Sequence, residues 1–368
     1  MNKFLSIIAL GGIVMSLVSV AGDSRVNESV QISGKFQNSE INYQSSLANI
    51  WNIAKEYWRV ERKEAVPKSS IPVTKLTSSS LEADEHDAIF RLGHSTLLIK
   101  LNQEFILIDP VFSERASPVQ WAGPKRFHQP PISINDLPNI KAVIISHDHY
   151  DHLDKAAVKE LADKVEVFLT PLKVGQYLRD WGVSKEKIVE LDWWQSQKVA
   201  GVNITATPAQ HFSGRGLFDK DESLWASWVI EHKNMKLFYS GDSGYFSGFK
   251  EIGQRFGPFD YTMIETGAYN ELWREIHMTP EQSLQAHLDL DGQHMIPVHN
   301  GTFDLALHDW YEPFEQISAL AKQQNVSLLT PKFGDAVILA EPKPTAPWWQ
   351  EVMSEKMVDT TKLIAKSF

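Results

Sequence analysis

The segment His147-Asp148-His149-Tyr150-Asp151-His152-Leu153-Asp154 follows directly on the apolar run 142–145, and few folds can hold so many imidazoles and carboxylates in one turn. Side chains alternate along a strand, so His147 and His149 leave the strand end on one side. Asp151 and His152 fall where a helix should begin and can address a second point nearby. A lone histidine is ordinarily a packed or solvated residue. Three of them interleaved with carboxylates at a strand end call for a divalent ion. The chain has no cysteine. Any metal must therefore be held by imidazole and carboxylate, and neither a disulfide framework nor a thiolate ligand is available.

Four ligands in one short loop cannot close two metal sites. The remaining ligands are expected at other strand ends, where a rigid scaffold exposes side chains through its loops. His211 in Pro208-Ala209-Gln210-His211, Asp242 in Ser240-Gly241-Asp242-Ser243-Gly244 and His299 in Ile296-Pro297-Val298-His299-Asn300-Gly301 each follow an apolar run beside small residues. Each alone reads equally well as an ordinary turn residue; together they complete two sites. His94 is expected beside the site or holding a loop; a ligand role is the alternative, although it would give one histidine too many. Asp148 and Asp154 are expected to orient the neighbouring loop and helix. His86, His128, His232, His287, His294 and His308 lack a strand-end setting and are left out of the ligand set.

The pattern along the chain predicts a helix over 47–64, in which Leu47, Ile50, Trp51, Ala54 and Trp58 share a face. That face is expected to pack on the core, with contact to a bilayer surface as the alternative. Pro67 and Pro72 stop the helix within a Ser/Thr-rich linker over 69–80. Short β-branched runs follow, predicting a hairpin of 97–100 and 105–108 across Asn102-Gln103 and strands over 142–146, 165–170, 204–208, 226–231, 236–240 and 261–265. Helices are predicted over 155–163, 280–288 and 313–324, two of them opened by proline. Strands in hairpins that later alternate with helices imply two sheets with helices outside. The tail from Pro347 carries a partial helical stripe.

The net charge of −10 repels polyanions, and there is no basic cluster beyond short pairs such as Lys125-Arg126, which could meet a substrate phosphate but is expected to be solvated surface. A nucleic-acid substrate is therefore not expected. At the N-terminus, Lys3, an apolar run over 4–20 and the small-x-small Ser19-Val20-Ala21 predict a signal peptide over 1–21. Export to the periplasm or the outer face of the cytoplasmic membrane is the expectation. An uncleaved anchor is the alternative, since the run approaches the lower limit for a spanning helix of roughly 17 residues.

The HxHxDH core with separated His, Asp and His positions resembles the metallo-β-lactamase superfamily. More narrowly, Gly93-His94-Ser95-Thr96, Asp109-Pro110-Val111-Phe112, Arg115-Ala116-Ser117-Pro118 and Gly123-Pro124-Lys125-Arg126-Phe127 lead into the metal loop. With PAQH at 208–211, GDSGY at 241–245 and VHNGTFDLA at 298–306, the chain resembles N-acyl-phosphatidylethanolamine-hydrolysing phospholipase D and its bacterial relatives over about residues 86–340. The resemblance implies an α/β layered fold, an αββα sandwich of two facing mixed sheets with helices outside. Its organisation would be an N-terminal extension over 22–85, a hydrolase domain over 86–345 and a helical tail over 346–368. It implies that His147, His149 and His211 hold one zinc, that Asp151, His152 and His299 hold the other, and that Asp242 bridges both, other divalent ions being able to substitute. His277, in Ile276-His277-Met278-Thr279-Pro280, matches a histidine lining the substrate site and is the candidate proton donor to the leaving group. Ile276 stands where the mammalian lipase has an amide, and Asn300 follows His299 in place of an apolar residue. Both departures border the pocket rather than the metals.

Two divalent ions sharing a water lower its pKa towards roughly 7 and polarise a phosphoryl or carbonyl oxygen, with no need for a nucleophilic Ser or Cys. The expected substrate is a phospholipid phosphodiester or another small ester, a lactone being the nearest rival, with peripheral membrane contact. A tRNA nuclease is disfavoured by acidity and export, and a β-lactamase by the segments around Arg115 and Lys125. A catalytically silent metal-binding protein would not need seven ligands around an open pair.

Overall fold

The structure, a computed structural model, describes residues 28–43, 51–52, 55–56 and 59–353. The predicted leader, Trp58 and the tail beyond Met353 lie outside the described residues. A small hairpin of β1 (Val30–Ile32) and β2 (Lys35–Gln37) precedes the main fold. Next come β3 (Ala88–Arg91), β4 (Leu97–Leu101), β5 (Glu104–Ile108), β6 (Ile140–Ile144), β7 (Val165–Pro171) and β8 (Ile188–Leu191). The second half brings β9 (Ser196–Val199), β10 (Val202–Thr207), β11 (Ser227–His232), β12 (Met235–Tyr239), β13 (Phe259–Glu265), β14 (Gly292–Val298), β15 (Ser327–Leu328) and β16 (Ala336–Ile338).

These strands form two seven-stranded sheets, ordered β16-β3-β4-β5-β6-β7-β8 and β15-β14-β13-β12-β11-β10-β9. In each sheet an antiparallel meander gives way to parallel strands, at β5/β6 in the first and β12/β13 in the second. The turn at Asn102-Gln103 is present, with both residues at positive φ, as a tight hairpin between twisted strands requires. Alternation along the strands builds three apolar layers. Ile99, Ile106 and Ile144 meet Ile204, Trp228 and Met263 between the sheets. Leu98, Leu107 and Val143 face Val158 and Leu161 of the helix Lys155–Leu161, and Phe238 and Met295 face Ile252 and Ile317. The architecture is the expected αββα sandwich.

Several elements depart from expectation for identifiable reasons. No strand is predicted over 292–298 beyond the apolar run before His299, yet β14 is a full parallel strand that includes Gly292 and Pro297. Its outer neighbour β15 stops opposite Met295, so nothing beyond it requires an N–H from Pro297. The helix Gly248–Phe256 contains Gly253, where a Cβ would lie 2.2 Å from the Asp289 carbonyl oxygen. Glycine serves close approach there at the expense of helix propensity. The 69–80 linker is packed: Val73 bridges to Phe333, and Thr77 with Ser80 forms a capping box on the helix Ser78–Ala83, which buries Leu81. Trp51, expected on the core, is helical but 72% exposed. Trp348 and Trp349 begin a helical turn and are buried against Phe314.

Candidate metal centre

The C-terminal ends of β5, β6, β10, β12, β13 and β14 converge on one edge of the sandwich, because these strands run the same way within their sheets. The loops leaving that edge carry Asp109, the 147–152 segment, His211, Asp242 and His299, while Glu265 closes β13. Of the side chains named here, Asp109 at φ 39° and His299 at φ 64° stand on left-handed backbone. Such strain is retained only where the surroundings over-determine it. Gly241 has φ +57°, and a Cβ on it would come 2.9 Å from the Ala226 carbonyl oxygen.

Two groups of donor atoms result. His147, His149, His211 and Asp242 form one, with ligand atoms all within 4.8 Å of one another. His147 Nε2 lies 2.9 Å and His211 Nε2 3.2 Å from His149 Nδ1. The second group joins Asp151, His152 and His299 to His94. Asp242 reaches both: its Oδ1 is 3.1 Å from His152 Nε2, and its Oδ2 is 3.1 Å from His299 Nε2 and 3.8 Å from His147 and His211 Nε2. All seven sequence-predicted ligands are therefore brought together. His94, placed around the site rather than in it, stands among them with Nε2 3.3 Å from Asp151 Oδ2. Neither of its ring nitrogens has a well-formed hydrogen bond.

The donor chemistry fits divalent ions. Burial holds His147 and His211 well below the ordinary imidazole range, leaving them neutral with a lone pair to donate. Burial also opposes charge on His152 and His299, but Asp242 and Asp151 outweigh it, raising both and bringing His299 to about 10. The carboxylates thus demand positive charge in a dry pocket, which a metal supplies while displacing the protons. His152 Nε2, His299 Nδ1 and Asp242 Oδ1 are buried without a hydrogen bond, an expensive state for polar atoms unless an ion or water engages them.

A second layer orients the ligands. His211 Nδ1 donates to the Ile276 carbonyl at 3.0 Å, turning Nε2 inward. The fully buried Asp109 accepts from His152 Nδ1 at 2.6 Å and from the Tyr239 and Ser146 hydroxyls. His277 lies within reach of Asp242 and His299, and its Nδ1 donates to the buried Glu265, which also accepts the Ser243 N–H at 2.7 Å. Burial pushes the Glu265 carboxyl up, against the pull of His277. Neither Asp109 nor Glu265 stands out from sequence. Asp148 accepts from Gly214 N–H and Ser223, and Asp154 caps the helix Lys155–Leu161, as expected. Arg126 corrects an expectation. It is buried, donating to the Ser113 and Val111 carbonyls over the Phe303 ring, while Lys125 pairs with Glu114 at the surface.

A family model described as a β-lactamase superfamily domain matches residues 104–300, and the chain belongs to the metallo-β-lactamase superfamily as a metal-dependent hydrolase. Within it the chain is related to N-acyl-phosphatidylethanolamine-hydrolysing phospholipase D. It is 32% identical over 266 residues to the Caenorhabditis elegans enzyme, covering 68% of this chain and 74% of that one. An uncharacterised protein of Mycobacterium tuberculosis is 42% identical over 298 residues, 80% of each chain. Among solved structures, an isothiocyanate hydrolase from Delia radicum gut bacteria matches with a TM-score of 0.55 at 22% identity, over 68% of this chain and 97% of that one. That likeness establishes the fold alone.

Proposed function

We propose that this chain is a binuclear zinc phosphodiesterase of the phospholipase D type. It would hydrolyse N-acyl-phosphatidylethanolamine-like phospholipids to phosphatidic acid and an N-acylethanolamine. The observation that carries the reading is Asp242, one carboxylate within reach of both histidine groups. Two divalent ions, when bound, lower the pKa of a shared water towards roughly 7 and polarise a phosphoryl oxygen. Glu265 accepts the Nδ1–H of His277, and with that carboxylate behind it the ring in its imidazolium form would give its Nε2 proton to the leaving alkoxide. Phe212, Leu272, Trp273, Ile276, Leu305 and Leu307 form an apolar cluster beside His211 and His277, a wall suited to acyl chains. The relatives in nematode and yeast, 32% and 34% identical, carry the named activity and support the same substrate class.

The test is a panel of phospholipids and lactones given to zinc-loaded enzyme. Turnover of N-acyl-phosphatidylethanolamine, lowered about tenfold to a thousandfold by His277→Ala with metal content unchanged, is expected. Efficient lactone opening with the phospholipid intact would replace this reading by a lactonase. Export through the leader belongs to the proposal; a mature N-terminus near Gly22 supports it, and recovery of Met1 from native protein contradicts it.

A further inference from the structure

Beside the metal loop lies a cavity of about 520 Å³ whose lining includes Arg115, Tyr150, Lys155, Lys159, Trp181 and Arg215. Four of these are cations, in a chain whose net charge is −10. The carboxylate in the lining, Asp154, is buried and occupied: it accepts the N–H groups of Phe112, Ser113 and Ala156 and the Ser113 hydroxyl. Arg115 donates to the Gln120 and Gly123 carbonyls, and Arg215 to those of Asp148 and Leu153 while stacked 4.0 Å over Tyr150. Lys155 lies over the Trp181 ring. Among the described residues none of the four cations forms an ion pair, so the cavity presents net positive charge.

Two loops that border this cavity end in large apolar side chains held in water. Trp121, next to the lining residue Gln120, is 83% exposed; Leu217 and Phe218, just beyond Arg215, are 91% and 88% exposed. The second loop is built rather than slack. Asp219 accepts the N–H groups of Arg215 and Gly216, which fixes the turn and leaves Leu217 and Phe218 at its tip. Apolar tips around a cationic hollow are the composition of a bilayer contact: Trp, Phe and Leu enter the headgroup–acyl boundary while Lys and Arg meet lipid phosphates.

We propose that this face docks the protein on a phospholipid bilayer bearing anionic headgroups, with Trp121, Leu217 and Phe218 inserting and Arg115, Lys155, Lys159 and Arg215 engaging phosphate. Charge complementarity selects the bilayer as occupant, since four cations without an ion partner share one hollow of an acidic chain. The proposal deepens the phospholipase reading and rests on it for its purpose. Tyr150, between His149 and Asp151, lines the same cavity, so the docking face adjoins the centre that would cut the lipid.

The experiment is co-sedimentation of the purified protein with vesicles of phosphatidylcholine alone or mixed with phosphatidylglycerol. Binding to the mixed vesicles, weakened by salt and roughly tenfold lower on phosphatidylcholine alone, is expected. Trp121→Ser and the double variant Leu217→Ser/Phe218→Ser should each lower partitioning roughly tenfold while hydrolysing a monomeric short-chain phosphodiester at the parental rate. Lys155→Glu/Lys159→Glu should abolish the preference for phosphatidylglycerol. Unchanged partitioning in these variants overturns the proposal, as does a dimer in sedimentation velocity that the tip substitutions dissolve. Vesicle binding without turnover of any phospholipid removes the substrate reading alone, whereas phospholipid turnover without vesicle binding removes the docking face alone.

Discussion

Asp109→Asn keeps the side chain's size and changes only its charge and donor pattern. The buried carboxylate accepts the Ser146 N–H at Oδ1 (2.7 Å). At Oδ2 it accepts the Ser146 hydroxyl (2.5 Å), His152 Nδ1 (2.6 Å) and the Tyr239 hydroxyl (2.6 Å). An amide nitrogen at Oδ2 would face three donors, and at Oδ1 it would face one. Either orientation strands at least one buried donor, costing about 1–3 kcal/mol of stability. His152 also loses the charged partner behind its ring, a change that typically weakens metal binding about tenfold to a hundredfold. At about 1.4 kcal/mol per decade this is roughly 1.4–2.8 kcal/mol. The loss should fall mainly on the Asp151–His152–His299 position, since the Asp109 carboxylate makes no contact with His149 or His211. Competition against a chromophoric zinc chelator resolves the two affinities. Wild-type affinity at both positions would refute the orienting role.

Glu265→Gln should lower kcat about tenfold to a hundredfold at unchanged zinc content; loss of zinc instead would move Glu265 into the ligand set. His94→Ala should weaken the second ion about tenfold or more while the first stays bound, measured by zinc titration; two unchanged affinities would make His94 a packing residue. Burial lowers His287 to about 4 and His128 to about 3. Their folded pKa values lie below the unfolded value of about 6.5, so the unfolded chain binds more protons. The stability these groups contribute is complete above about pH 6.5 and falls towards pH 4, by about 1.4 kcal/mol per unit for each group. Urea titrations across that range should show a shallower slope in His287→Gln, and an unaltered slope would contradict the assignment.

The candidate ligands over 147–152 are legible in the sequence because density and position coincide: imidazoles and carboxylates crowded at the end of an apolar strand are costly to bury unless they share an ion. His211, Asp242 and His299 follow from the same strand-end logic. Asp109 is not legible as an orienting residue. An aspartate before proline reads as a turn, and its partners His152 and Tyr239 come from a neighbouring strand end and the opposite sheet. Glu265 is hidden for a similar reason: it ends a buried strand, and the imidazole that accounts for it arrives through the packing of the 273–279 loop. Arg126 looks like surface because its acceptors are backbone carbonyls, which no side-chain pattern announces. His94 is set beside the site by counting ligands, and its place among the donor atoms comes from packing that such a count does not contain.

The central claim is that water attacks the phosphorus of a phospholipid in a centre built from the two histidine groups around Asp242. It is tested most directly by incubating zinc-loaded enzyme with N-acyl-phosphatidylethanolamine in isotopically heavy water and weighing the products. The account predicts that the heavy oxygen appears in phosphatidic acid, that the N-acylethanolamine carries none, and that Asp242→Asn abolishes both products. Heavy oxygen in the alcohol, or an intact phospholipid beside an opened lactone, would contradict it.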